Sequence, residues 1–219
     1  MPITIQYTPP STEPKIIHID DDLIIVDKPA GLLSVPGRGD DKKDCLISRI
    51  QKKHPEALII HRLDLPTSGI LILARNPEIH RIISKQFEKR EVSKEYTAVV
   101  EGVMSKDSGE INLPLITDWP NRPKQKVDFE SGKPSITRYE VLDVDLEANT
   151  TRIKLIPITG RSHQLRVHLL SINHMICSDA LYSGKELEKG ERLLLHANKI
   201  EFRHPTTLQN LLIESPCPF

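Results

Sequence analysis

Short apolar runs, several with a polar residue at every second position, set the pattern of this chain, and turn residues separate them. The alternation predicts strands over 15–19 and 23–27. Pro29-Ala30-Gly31 breaks the second strand, and Val35-Pro36-Gly37-Arg38-Gly39 reads as a flexible loop. Cys45, Leu46, Ile47 and Ile50 fit one face of a short helix that stops before Pro55, with Asp44 as its N-cap. Apolar runs at 57–60 and 70–74 read as two buried strands. Asn76-Pro77 opens the clearest helix, a cap residue followed by proline at the first helical position. Ile79, Ile82, Ile83 and Phe87 form its apolar stripe and belong to the core. Further strands are predicted over 95–101, 135–144, 151–158, 193–202 and 208–213, a helix over 162–171, and a long insertion over 113–134.

Strands dominate and few strand–helix–strand crossovers appear. The expected fold class is therefore α/β in the α+β sense, a single domain with a central, mostly antiparallel or mixed sheet and peripheral helices. Residues 1–14, rich in Pro, Thr and Ser, are expected to form a flexible arm, and residues 15–219 one domain, since no Pro/Gly/Ser-rich linker divides them.

Composition narrows the class. With 219 residues, 38% hydrophobic and 27% charged, the chain can bury a core of ordinary size. Cys45, Cys177 and Cys217 are odd in number and far apart, so neither a disulfide framework nor a zinc site is indicated. The N-terminus lacks the charged and apolar regions of a signal peptide, and the apolar runs are far shorter than the roughly 20 residues that span a bilayer. A cytoplasmic protein that binds no membrane is the expectation. Small apolar patches and the lack of heptads make a monomer the default.

The 30 Lys and Arg balance the 30 Asp and Glu, which by itself argues weakly against a nucleic-acid partner. The distribution is uneven, however. Asp20-Asp21-Asp22, Asp40, Asp41 and Asp44 are acidic, whereas Arg81, Lys85, Lys89, Arg90 and Lys94, and then Arg122, Lys124 and Lys126, are basic. Each run taken singly is most simply a solvated face. Local fields nevertheless steer a polyanion better than net charge does.

Candidate chemistry centres on His61-Arg62-Leu63-Asp64-Leu65-Pro66-Thr67-Ser68-Gly69. Asp64 stands between the strands at 57–60 and 70–74, beside Arg62, where it presents one acid at a turn. Most such aspartates only bond turn amides. Familiar alternatives find little support. No GxSxG, HExxH, GxxxxGK[ST] or GxGxxG is present, His163 and His168 are five apart, and Asp64 has no sequence partner carboxylate of the kind a glycosidase uses.

His61-Arg62-Leu63-Asp64 with Thr67-Ser68-Gly69 resembles the catalytic motif of the RluA-type pseudouridine synthases. Four further segments agree in order and rough spacing: Val26-Asp27-Lys28-Pro29-Ala30-Gly31-Leu32, Lys94-Glu95-Tyr96, Gly160-Arg161-Ser162-His163-Gln164-Leu165-Arg166-Val167-His168, and Leu193-Leu194-Leu195-His196-Ala197. The resemblance covers nearly the whole chain after the first arm and leaves no room for the S4 RNA-binding domain that larger members often carry.

The resemblance implies a basic cleft and a reaction that turns uridine into pseudouridine in RNA, needing no cofactor and no metal. Its implied substrates are a tRNA anticodon stem-loop and a loop of 23S rRNA. Asp64 matches the essential aspartate, Tyr96 the tyrosine that stacks on the uracil, and Arg166 the arginine that pairs with the aspartate. Arg62 matches the residue that fills the space left by a flipped uridine, and Leu194 or Leu195 an apolar wall below the base. His61 is expected to brace the motif. Lys94, Arg122, Lys124, Lys126 and Arg161 are candidates for holding RNA.

Two other classes stay open on the residues alone: an RNA chaperone without catalysis, and a nucleoside or glycoside hydrolase using a single acid. Isomerisation leaves the mass of RNA unchanged, whereas hydrolysis releases free uracil.

Overall fold

The computed structural model describes residues 7–188 and 190–219. The chain divides into two compact units, one of residues 7–94 and 196–218, the other of 95–195 with Phe219. The arm expected over 1–14 falls in part outside the described residues. From Tyr7 on it carries no helix and only joins β1 at its end, yet it is held. The Tyr7 hydroxyl donates to the Asp44 carbonyl at 2.7 Å, and the Arg49 guanidinium donates to the carbonyls of Pro10 and Thr12.

In the first unit, β1 (Lys15–Ile19) pairs antiparallel with β2 (Leu23–Lys28). Helix α1 (Leu46–Gln51) follows, then β3 (Leu58–Ile59), β4 (Ser68–Ala74) and α2 (Pro77–Lys89). β2 and β3 both pair antiparallel with β4. All seven residues of β4 are buried, as expected of a continuous Ile/Leu run covered on both faces. Ile79 and Ile83 of α2 pack on Ile70, Ile72 and Ala74, with Ile82 and Phe87 at the edge of the same cluster. Asn76 caps α2 by accepting from the Ile79 amide at 2.9 Å.

One sequence expectation fails here. Asp44 does not cap α1, because its carboxylate is taken by a fork of two 2.8 Å bonds from Arg49. Cys45 is the N-cap instead, and the Ser48 hydroxyl accepts the Cys45 amide at 3.0 Å.

In the second unit, β5 (Ser93–Glu101), β6 (Ser108–Asn112), β9 (Ile136–Asp145) and β10 (Thr150–Pro157) form an antiparallel sheet in the order β5-β10-β9-β6. The insertion expected over 113–134 is a structured segment. It holds a hairpin of β7 (Leu115–Thr117) and β8 (Gln125–Val127), with a short 3-10 turn at Trp119–Asn121. Its base is closed by the Leu115–Lys133 bridge and by Asp128, which accepts the amides of Glu130 and Ser131. Such pairing is how a segment of this length avoids exposing its backbone unbonded.

β10 alternates buried and half-buried residues, and Ile153 and Leu155 join Leu165 and Leu169 of helix α3 (Gln164–Ser171) in one core. α3 starts two residues later than expected because His163, its N-cap, is left-handed at φ 54°. Helix α4 (Ala180–Ser183) is a single turn capped by Asp179.

The chain then supplies the first unit with β11 (Leu195–Arg203) and β12 (Asn210–Glu214), which pair antiparallel. β11 pairs parallel with β4 through His196–Ser68 and Ala197–Gly69, so this sheet is mixed. Both units are α+β, and among the described residues no helix is long and apolar enough to cross a membrane.

Gly69 has φ +116°, and a Cβ there would lie 2.6 Å from the Ala197 nitrogen and still closer to its carbonyl oxygen. Both neighbours are backbone in a strand pair, so neither can turn away as a side chain would. Gly69→Ala is expected to destabilise the protein by at least about 3 kcal/mol. Urea unfolding of the purified variant checks this. A change under about 1 kcal/mol would show that β4 and β11 can part without loss.

Candidate active site

Asp64 is half-buried in the connection between β3 and β4, and its carbonyl accepts the Thr67 amide at 3.1 Å, closing a tight turn over Leu65-Pro66. The backbone on both sides of the acid is held. The Ser34 hydroxyl donates to the Leu63 carbonyl at 2.8 Å and accepts the Leu63 amide at 3.2 Å. The Leu65 carbonyl accepts the Gly31 amide at 2.9 Å and the Lys28 ammonium at 3.2 Å. Lys28 is fully buried and also donates to the carbonyls of Pro29 and Leu32. Downstream, Ser68 bonds His196 at 2.7 Å. The loop therefore presents its carboxylate from a backbone held at Leu63, Asp64 and Leu65, while Arg62 next to it is exposed.

His61 accepts the Ile72 amide at Nε2, 3.0 Å away, and its ring lies 4.6 Å from that of Phe87. Accepting an N–H requires a bare nitrogen, so the imidazole is neutral with its proton on Nδ1. Burial, and then the charge of Lys94, push its pKa down to about 3. Lys94 is itself half-buried, 5.8 Å from the Phe87 ring, and burial lowers its pKa as well. Lys94 and His61 thus lie on the same ring, that of Phe87.

In the second unit, Tyr96 lies in β5 opposite Leu155, half-buried against the core that contains Leu195. Leu195 is buried and Leu194 half-buried, its carbonyl accepting the Val99 amide at 3.1 Å. Arg166 is buried in α3. Its Nε and one terminal nitrogen reach the two oxygens of Asp179, each at 2.7 Å. A bidentate fork of this kind is among the strongest charge-assisted contacts. Loss of either partner would leave a buried charge, at a cost of about 3–5 kcal/mol. The Tyr182 ring lies 5.0 Å from the Arg166 guanidinium.

Two other buried side chains of the Gly160–His168 motif bond neighbouring segments. Gln164 accepts from Thr159 and the Arg161 amide, and donates to Ile136 and Thr137. His168 bridges Thr137 and the Leu113 carbonyl, and burial lowers its pKa.

The basic candidates spread along the hairpin. Arg122 is exposed and stacks 4.7 Å from the Trp119 ring, which is 69% exposed. Lys124 is half-buried, 5.8 Å from Tyr182, and Lys126 pairs with Asp128 at 3.2 Å. Arg161 is exposed at the foot of α3, reaching the Pro134 carbonyl.

Asp179, Tyr182 and Lys28 were not assigned roles from sequence. Asp179 and Gly184 carry the cap signals that could have flagged α4, an acceptor before a one-turn helix and a left-handed glycine after it. Lys28 shows in the sequence as a lysine at the end of an apolar strand, within the Val26–Leu32 segment of the resemblance. Among the described residues, Asp20, Asp22 and His204 place ligand atoms close enough for a metal ion. His204 Nε2 lies 3.2 Å from Asp20 Oδ2 and 3.9 Å from Asp22 Oδ2, and the other atoms of the group serve local turns. Asp20 accepts the amides of Asp22 and Leu23, and His204 Nδ1 accepts those of Thr206 and Thr207.

Residues 22–171 match the family model described as RNA pseudouridylate synthase. The chain is 47% identical over 218 residues to the dual-specificity RNA pseudouridine synthase RluA of Pasteurella multocida (strain Pm70), covering 98% of this chain and 99% of that one. It is 46% identical over 216 residues to the protein of the same name from Escherichia coli (strain K12), covering 97% and 98%. The solved structure titled Human RNA Pseudouridylate Synthase Domain Containing 1 superposes with a TM-score of 0.78 at 26% identity, over 97% of this chain and 87% of that one. With its motif loop, its sheets and nearly its full length matched in this way, the chain belongs to the RNA pseudouridylate synthase family.

Proposed function

We propose that this chain converts uridine to pseudouridine in a tRNA anticodon stem-loop and in a loop of 23S rRNA, as a cytoplasmic monomer, with Asp64 as the essential carboxylate. The observation that carries the reading is the near full-length match to dual-specificity synthases. The rigid presentation of Asp64 supports it.

The reaction breaks the N-glycosidic bond, turns the uracil, and joins its C5 to the ribose; the C5 proton leaves and N1 gains one. Atoms balance without redox or hydrolysis, so the chemistry calls for no cofactor. A carboxylate can open this sequence by attacking the substrate or by removing a proton, and both acts require it ionised. Tyr96 stacks on the uracil, a contact worth roughly 1–3 kcal/mol, and takes the C5 proton. The uridine must leave its stack first, at a cost of about a few kcal/mol that is smaller in a loop than in a helix. Arg62, exposed beside the acid, fills the vacated space. Leu194 and Leu195 line the floor under the base, and Arg166 supports the ionised acid. Arg122, Lys124, Lys126 and Arg161 hold phosphates.

Asp64→Asn is expected to abolish pseudouridine formation on an anticodon stem-loop while changing RNA affinity less than about threefold, or ~0.7 kcal/mol. Pseudouridine mapping of the product decides it; substantial turnover by the variant sinks the assignment, and release of free uracil by the wild type makes the protein a hydrolase.

Replacing Lys124 and Lys126 by Ala is expected to flatten the dependence of log affinity on log salt by about 1.4, at ~0.7 per single-strand phosphate contact. An unchanged slope places both lysines outside the interface.

His61 acts as a neutral brace. Its folded pKa lies below the ordinary 6.5, so the unfolded chain binds the proton more readily. The stability from this group is present above pH 6.5 and lost as pH falls toward 3, by up to ~1.4 kcal/mol per pH unit. His61→Gln should remove about that much slope from urea-unfolding free energies between about pH 5.5 and 4.5. An equally steep slope in the variant would mean that His61 is already charged in the folded protein.

A further inference from the structure

The hairpin of β7 and β8 and the arginine of α3 meet at one side chain. Tyr182 presents its ring to the Arg166 guanidinium at 5.0 Å, and its backbone amide donates to Asp179 Oδ1, the oxygen that also takes an Arg166 N–H. The hydroxyl of the same tyrosine accepts the Gln125 amide at 2.9 Å and bonds His163 Nδ1 at 2.8 Å. Gln125 is the first residue of β8, directly after Lys124, and pairs with Thr117 across the hairpin. His163 is the N-cap of the helix that carries Arg166.

His163 at φ 54° and Ser178 at φ 57°, the residue before Asp179, are both non-glycine residues in the left-handed region. Such conformations persist only where surrounding contacts hold them. One residue thus joins a basic hairpin to both members of a buried ion pair: its hydroxyl bonds the hairpin, its ring faces Arg166 and its backbone amide bonds Asp179.

We propose that Tyr182 is a positioning residue that couples the hold of the 115–127 hairpin on RNA to the seating of Arg166. When RNA fixes the hairpin, the Gln125 amide fixes the Tyr182 hydroxyl. The ring and the one-turn helix behind it then fix the guanidinium and its Asp179 partner. Binding energy gathered at the hairpin is in this way spent on the rate of turnover as well as on affinity. The proposal rests on the reading that the hairpin grips RNA and that Arg166 serves the reacting site.

Tyr182→Phe in the full chain tests it, since the ring on Arg166 is kept and only the hydroxyl link to Gln125 and His163 is lost. The expected result is a fall in kcat of about tenfold at saturating stem-loop RNA, with KM within about twofold and an unchanged melting temperature. In the wild type, replacing Lys124 and Lys126 by Ala should lower kcat as well as raise KM; in the Tyr182→Phe background the same pair should change KM alone. A kcat within about twofold of wild type in Tyr182→Phe, or an equal kcat loss from the lysine pair in both backgrounds, overturns the coupling.

Hydrogen exchange on the wild-type chain gives a readout that needs RNA binding but no turnover. Stem-loop RNA should slow exchange in 177–183 together with 115–127, and the protection of 177–183 should vanish in Tyr182→Phe. Protection confined to the hairpin overturns the proposal. RNA bound with this protection but no pseudouridine formed would count against the proposed reaction and leave the coupling standing.

Discussion

The ammonium of Lys28 lies fully buried at the end of β2 and donates to the carbonyls of Pro29, Leu32 and Leu65. Burying such a charge costs several kcal/mol unless hydrogen bonds replace its water. Here they do, and their acceptors come from two stretches of backbone far apart in sequence: the turn that leaves β2, and the loop that bears Asp64. The cation is therefore a clamp with a penalty for opening. If the Asp64 loop moved away, the Leu65 carbonyl would leave and the ammonium would lose one of its replacements for water. Ser34 and Gly31 bond the same loop from the same turn, so the acid's position follows from the way β2 ends.

Buried polarity organises the second unit as well, in a different form. The first six residues of α3 are all buried, and Gln164, Arg166 and His168 among them each find partners on other segments. A helix with three such side chains in the interior cannot slide by a turn without leaving several of them unbonded at once. Its register is fixed by polar geometry more than by its few leucines. This is also why Arg166 can be held by Asp179 from a segment with almost no regular structure.

What could be read in the sequence follows from how local each signal is. α2 was legible because its cap, its proline and its stripe lie within a dozen residues. The Asp64 loop was legible because two apolar runs bracket it and its motif resembles a known one. Asp44 misled because a good cap residue at the right place was captured by Arg49, a competition that only the fold reveals. The hairpin of 115–127 shows in the sequence only as a long insertion, because its strands are three residues each, too short for a period to appear. Asp179 and Tyr182 escaped because their partners, Arg166 at 13 residues, His163 at 19 and Gln125 at 57, leave no periodic trace.

The parallel contact of Gly69 with Ala197 also bears on the order of events during synthesis. Ser68 and its partner His196 are 128 residues apart. At roughly 5–20 residues per second, a ribosome needs on the order of ten seconds to make the stretch between them. For that interval the strand that follows the acid lacks its parallel neighbour, although its antiparallel partners β2 and β3 are already present. The segment bearing Asp64 thus reaches its final setting only when β11, made 128 residues after Ser68, docks on the strand that follows the acid.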